Sequence, residues 1–135
     1  MLLALLLAFS ATTVHAASDS PSGKGEAVPN APIFVKLPIF QIPVIERDQV
    51  TRRVSVAVAL ELVQGMTQDN VTPKQPLLID AFLSDLYAIF SQHANSSRVA
   101  DDRLIRTRLQ QIADRILGPG VVRQVLIEQL FEQQL

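Results

Sequence analysis

The sequence predicts an α+β domain of two layers, a small sheet with helices on one face, in the order strand, strand, helix, helix, strand. Three observations lead there. Val50 to Val63 alternates apolar and polar residues with period two. Two later stretches, Leu78 to Phe90 and Ile105 to Ile116, repeat apolar residues at helical spacing. Leu117-Gly118-Pro119-Gly120 then halts the second helix ahead of another apolar strand, Val121 to Phe131. Periods of 2 and 3.6 each line up one apolar face. Faces of both kinds in one short chain bury each other as a sheet roofed by helices.

At 135 residues there is room for one domain and an appendage, since domains commonly run to about 100–150 residues. A formal charge of −1 does not favour nucleic acid or an anionic membrane surface as the main partner. With no cysteine, neither a disulfide framework nor thiolate chemistry is available.

The elements follow in chain order. Residues 1–17 carry the apolar block Leu2, Leu3, Leu5, Leu6, Leu7 and Phe9, followed by the small-residue site Val14-His15-Ala16 before Ala17. This is the pattern of a cleaved signal peptide or of a curtailed membrane anchor; no Lys or Arg precedes the block to choose between them. Residues 18–32, with Ser20-Pro21-Ser22-Gly23 and Pro29-Asn30-Ala31-Pro32, have no apolar periodicity and are expected to be a flexible linker. As a coil this segment spans roughly 20 Å. The domain proper is residues 33–135.

Ile33 to Ile45 reads as an interrupted strand. Ile33, Val35, Leu37 and Ile39 are expected on one face, with Phe34 and Phe40 on the other. Pro38 and Pro43 remove ladder donors, which places the strand at an edge or breaks it into pieces. Glu46-Arg47-Asp48-Gln49 suits a hairpin connection. In the next strand Val54, Val56, Val58, Leu60 and Leu62 face the core, and Arg53, Ser55, Ala57, Ala59 and Glu61 face away. Thr72-Pro73 is expected to start the first helix, or Asp69 slightly earlier. Its apolar arc is Leu78, Ile79, Phe82, Leu83, Leu86, Ile89 and Phe90, and Asn95-Ser96-Ser97 ends it. Asp101 and Asp102 open the second helix, where carboxylates suit the dipole. Its inward residues are Ile105, Leu109, Ile112 and Ile116, and Gly118 stops it. The last strand is expected to point Val121, Val125, Ile127 and Phe131 to one side.

The residues offer little chemistry. Outside the leader, His93 is the single imidazole, and no second His, Cys or paired carboxylate stands at ligand spacing. It is expected at a helix end beside free carbonyls. No catalytic residue, cofactor site or metal site is assigned; Asp101-Asp102 is accounted for by capping, and Asp80 and Asp85 fall on different sides of their helix. No glycine pattern cradles a phosphate. Arg52-Arg53 and Arg103, Arg106 and Arg108 are interspersed with acids and read as solvated. One surface departs from the polar norm: Leu77, Ala81, Ser84 and Ala88 recur at i, i+4, i+7 and i+11. This stripe, or the Ala57/Ala59 face of the second strand, is the candidate contact with another copy or a partner.

With the elements in place, several fragments coincide in order and spacing. They are Pro32-Ile33-Phe34-Val35-Lys36-Leu37-Pro38 with Pro43-Val44-Ile45, Leu60-Glu61-Leu62, Pro76-Leu77-Leu78-Ile79-Asp80-Ala81-Phe82, and Leu117-Gly118-Pro119-Gly120-Val121-Val122-Arg123-Gln124-Val125-Leu126-Ile127. On these the chain resembles the FliL family of flagellar basal-body-associated proteins. The resemblance implies a domain similar to the stomatin-like SPFH core, on the periplasmic side of the bacterial inner membrane. It also implies a non-catalytic, homo-oligomeric scaffold that associates with stator and rotor components and supports torque and motility. The N-terminus departs from the family, which usually has a clear membrane span behind a basic tail. The competing expectations are a stomatin-like scaffold unrelated to flagella, and an exported small-ligand-binding protein or enzyme using His93.

Overall fold

The computed structural model describes residues 30–94 and 100–135. Its elements are β1 (Phe34–Lys36), β2 (Phe40–Glu46), β3 (Gln49–Leu62), α1 (Gln75–Gln92), α2 (Asp102–Leu117) and β4 (Val122–Gln134). The expected α+β, two-layer architecture is present, an antiparallel sheet with both helices packed against it. Alternation makes β3 the centre. Val54, Val56, Val58, Leu60 and Leu62 are all buried, and β4 runs along one whole edge, from Arg52↔Gln134 to Leu62↔Val122. Both β1 and β2 therefore share the other edge, pairing with Glu61–Ala59 and Val56–Gln49 respectively.

The expected first strand is two pieces. Pro38 and Ile39 stand outside the ladder between Leu37, whose N–H donates to Val58 O at 3.0 Å, and Phe40, which pairs with Val56. Three residues thus advance the chain on one side against two on β3. A bulge of one residue inverts the phase of everything after it. Val35 and Leu37 face the core before it, and Phe40, Ile42 and Val44 after it. Phe40 is therefore inside and Ile39 outside, the reverse of simple alternation; Ile33 also remains exposed at the strand's start. The same device recurs in β4. The register shifts between Val58↔Ile127 and Ala57↔Gln129, leaving Glu128 as the extra residue, and again beside Arg123. Val122, Val125, Ile127 and Leu130 consequently face inward, and Phe131 points out at 55% exposure.

The connection Arg47-Asp48 has φ of 50° and 63°, the left-handed pair of a two-residue type I′ hairpin. Neither residue prefers that conformation. Asp48→Gly is expected to stabilise the domain by about 1 kcal/mol, read as a higher denaturation midpoint in urea.

Residues 68–74 form two short 3-10 turns, Gln68–Asn70 and Thr72–Lys74, and α1 begins only at Gln75. The later start has a reason. Pro76 then lies in the first turn, where its missing N–H would have had no partner anyway. Leu78, Phe82, Leu86, Ile89 and Phe90 are buried, Ile79 is half-buried, and Leu83 is exposed instead of closing the arc. The Asn95-Ser96-Ser97 stop lies outside the described residues. Asp101 caps α2, accepting from the Arg103 N–H at 3.0 Å. Ile105, Leu109, Ile112, Ala113 and Leu117 are buried, while Ile116 is only half-buried. The helix ends at Gly118 (φ 94°), whose N–H donates to Asp114 O.

Arg52 is not solvated. Its side chain lies on the core-facing side at the hairpin end, where the guanidinium donates to Glu132 on β4, to Glu46 on β2 at 3.4 Å, and to the Ala94 carbonyl beyond α1 at 2.9 Å. One cation thus joins three elements, with its side chain only 16% exposed. Arg52→Met leaves two carboxylates facing each other beneath the helix end. The expected cost is about 2 kcal/mol, below that of a fully buried pair because both acids keep some water. Adding Glu132→Gln to Arg52→Met is expected to recover part of the loss in thermal melts.

Candidate functional site

The expected contact stripe is divided by the fold. Asp85 lies between Ala81 and Ala88 on the helix, at i−4 and i+3, and its carboxylate accepts from Arg108 of α2. The second helix therefore runs along that side of α1. Ala81 and Ala88 are half-buried there, and Ala81 packs against the core. Leu77 and Ser84 remain exposed. Arg108, expected to be solvated, is the partner that fixes this approach.

His93 stands at the end of α1. Its Nδ1 is 2.7 Å from the Ile89 carbonyl oxygen, and its backbone N–H donates to the same atom at 3.3 Å. The Ile89 carbonyl thus keeps its usual helical donor, the His93 N–H, and also lies within hydrogen-bond distance of the ring. Among the described residues no three His, Cys, Asp or Glu side chains converge as metal ligands. Asp80 and Asp85 do not meet either, since Asp85 faces Arg108 while Asp80 is exposed. His15 and the rest of the expected leader, residues 1–17, lie outside the described residues. No helix among the described residues is long and apolar enough to cross a membrane.

The uncovered sheet face carries two features that alternation alone did not reveal. Ala59 and Glu61 are buried although they point away from the helices. Ala59 lies low between Lys36 and Leu126, and Lys36 reaches Glu128 at 3.6 Å. Glu61 is held by Arg123 at 3.3 Å and by the Gln124 side-chain amide. The bulge at Arg123 brings these two neighbours onto one carboxylate, so the acid is satisfied by cross-strand partners. Phe34 and Phe131 stand exposed on the same face, at opposite edges of the sheet.

No protein-family model matches the chain, and no curated protein matches it.

The described residues include three concavities open to solvent. One lies between α2 and the start of β4, where Gln110 bridges the two by donating to Val122 O and accepting from the Val125 N–H at 2.8 Å. A second lies where residues 30–33 meet the end of β3, beside Glu61 and Arg123. There Asn30 Oδ1 accepts from the Gln64 amide at 2.6 Å, which ties the last residues of the expected linker to the domain. The third is a shallow groove of 420 Å³ between α1 and the outer edge of β2, formed by Gln41, Ile42, Pro43, Leu83, Ser84 and Tyr87. The first two present amides and ion pairs already engaged within the chain. The third presents exposed Leu83 and Tyr87, one helical turn apart, against a strand edge. Its signal in the sequence was slight: Leu83 belonged to the apolar arc, and Tyr87 had no assigned place.

Proposed function

We propose that this chain is a non-catalytic accessory protein of the bacterial flagellar basal body, working by contact with the stator on the periplasmic side of the inner membrane. The observation that carries the reading is the placement of the fragments behind the FliL resemblance. The Pro32–Pro38 fragment falls on β1, Pro43–Ile45 on β2, Leu60–Leu62 at the end of β3, Pro76–Phe82 in the first turns of α1, and Leu117–Ile127 on the α2–β4 corner. They are thus successive parts of one sheet-and-helix unit. The exposed apolar side chains Phe34, Leu77, Leu83, Tyr87 and Phe131 give such a unit surfaces for protein partners. Either state of the N-terminus, cleaved or retained as an anchor, delivers the domain to the periplasm.

Deleting the gene is expected to reduce swimming in soft agar and swarming on firmer agar, while flagella are still assembled. Restoring the full chain recovers both. Unchanged motility in the deletion strain overturns the flagellar assignment.

A further inference from the structure

We infer that the outer edge of β2, together with the α1 groove above it, binds an extended peptide segment of a partner protein as an added strand. The inference rests on the reading that the domain acts by touching other proteins, and not on the flagellar assignment.

The backbone argues for a strand as occupant. Main-chain N–H and C=O groups alternate sides along a strand. On β3 the even-numbered residues bond toward β1 and β2: Leu37 N–H donates to Val58 O, and Leu62 N–H donates to Ile33 O. Phe40, Ile42 and Val44, opposite Val56, Val54 and Arg52, therefore spend their polar groups on β3. Gln41, Pro43 and Ile45 turn theirs outward, and all three are exposed. Pro43 fits that position because it has no N–H to lose. The edge thus offers two N–H donors and three carbonyls at the spacing that another β-strand satisfies.

The side chains argue for a single strand entering beneath a helix. On the core-facing side of this edge Leu83 and Tyr87 of α1 stand exposed above Ile42 and Pro43. Every second side chain of an added strand points into this groove, and the intervening ones lie beside Gln41, Pro43 and Ile45 on the uncovered face. Main-chain bonds then supply affinity and the groove supplies selection, as in other recognition by strand addition. The groove is lined by aliphatic, aromatic and neutral polar groups, so it selects alternate apolar residues and leaves the rest free to be polar.

A second copy of this chain is the poorer occupant. Pairing two β2 edges about a two-fold axis brings in Pro43 twice, and two ladder donors are lost. In addition, the inward side chains of the second β2 are covered by its own α1, so they leave the groove unfilled. A partner strand without proline loses one donor and fills it.

The test uses the full chain and a displayed library of random 12-residue peptides. Selected peptides are expected to alternate apolar and polar residues. Their binding is expected to slow amide exchange at Gln41 and Ile45 by at least about tenfold. Leu83→Glu and Tyr87→Glu, at exposed positions, are expected to abolish binding with the melting temperature unchanged. Gln41→Pro, which removes one outward donor and leaves the β3 ladder intact, is expected to weaken binding about fivefold. Selected peptides that protect other amides, or that bind Gln41→Pro and Tyr87→Glu as well as the parent, overturn the inference; so does a library that yields none. Protection of Gln41 and Ile45 that rises with protein concentration without peptide also overturns it, by assigning the edge to a second copy. Failure here with motility still dependent on the gene removes the peptide site alone. Unchanged motility with peptide binding intact removes the flagellar reading alone.

Discussion

Deleting Ala57 is expected to cost at least about 4 kcal/mol, whereas deleting Ile39 from the same sheet leaves the domain folded. Ala57 lies in β3, opposite Gln129 of β4 and between two inward valines. Without it Val56 and Val58 become neighbours, and adjacent residues of a strand cannot face the same way. Either Val54 and Val56 or Val58, Leu60 and Leu62 must leave the core, all of them nearly fully buried. Each such side chain contributes about 2 kcal/mol, and ladders on both edges slip as well. A loss of this size approaches the whole stability of an ordinary domain. Ile39 is the opposite case. It is 59% exposed and is the surplus residue of a bulge. Its removal carries Phe40 to the next regular position, still opposite Val56, and fuses β1 with β2. Pro38 keeps an outward position where no N–H is required. The cost is the lost bend, less than about 2 kcal/mol. Circular dichroism during urea titration of the two variants separates these outcomes, and equal losses would show that the edge bulge does not set the facing of β2.

The contrast also marks what was legible in the sequence. Element order, the inward face of β3, the capping of α2 by Asp101 and its stop at Gly118 all follow from local rules. Periodicity, side-chain capping and positive φ depend only on a few neighbouring residues. Phe40, Ile39 and Phe131 were expected on the wrong faces for one shared reason. A bulge is a property of two strands together, and the inversion it causes leaves no mark in one strand read alone; Pro38 signalled an interruption but not its sense. Arg52 and Arg108 looked solvated because their acids, Glu132 and Asp85, are distant in sequence. The stripe of Leu77, Ala81, Ser84 and Ala88 is likewise interrupted by a contact distant in sequence, the Asp85–Arg108 pair. The β2–α1 groove needs the bulge to settle which β2 residues turn outward, so no single-element pattern exposes it.

Phe82→Ala is expected to cost about 3–5 kcal/mol. Phe82 is fully buried near the middle of α1, and its ring packs against Phe40 with centroids 6.2 Å apart and planes tilted by 49°. Truncation leaves a cavity under a helix that neighbouring side chains cannot fill without moving α1 along the sheet. For a domain of about 100 residues, the melting temperature is expected to fall by on the order of 15 °C or more. Phe82→Leu keeps most of the volume and is expected to cost about 1–1.5 kcal/mol. The aromatic pair adds a term that area does not contain. A double-mutant cycle with Phe40→Leu and Phe82→Leu is expected to return a coupling of about 0.5–1.5 kcal/mol. That coupling reports directly on the bulge at Ile39, because only the inverted phase of β2 brings Phe40 beneath α1. It also reports on the groove, since the same docking holds Leu83 and Tyr87 above the β2 edge. Zero coupling, with Phe82→Ala costing less than about 1.5 kcal/mol, would mean that α1 does not rest on β2 in this way.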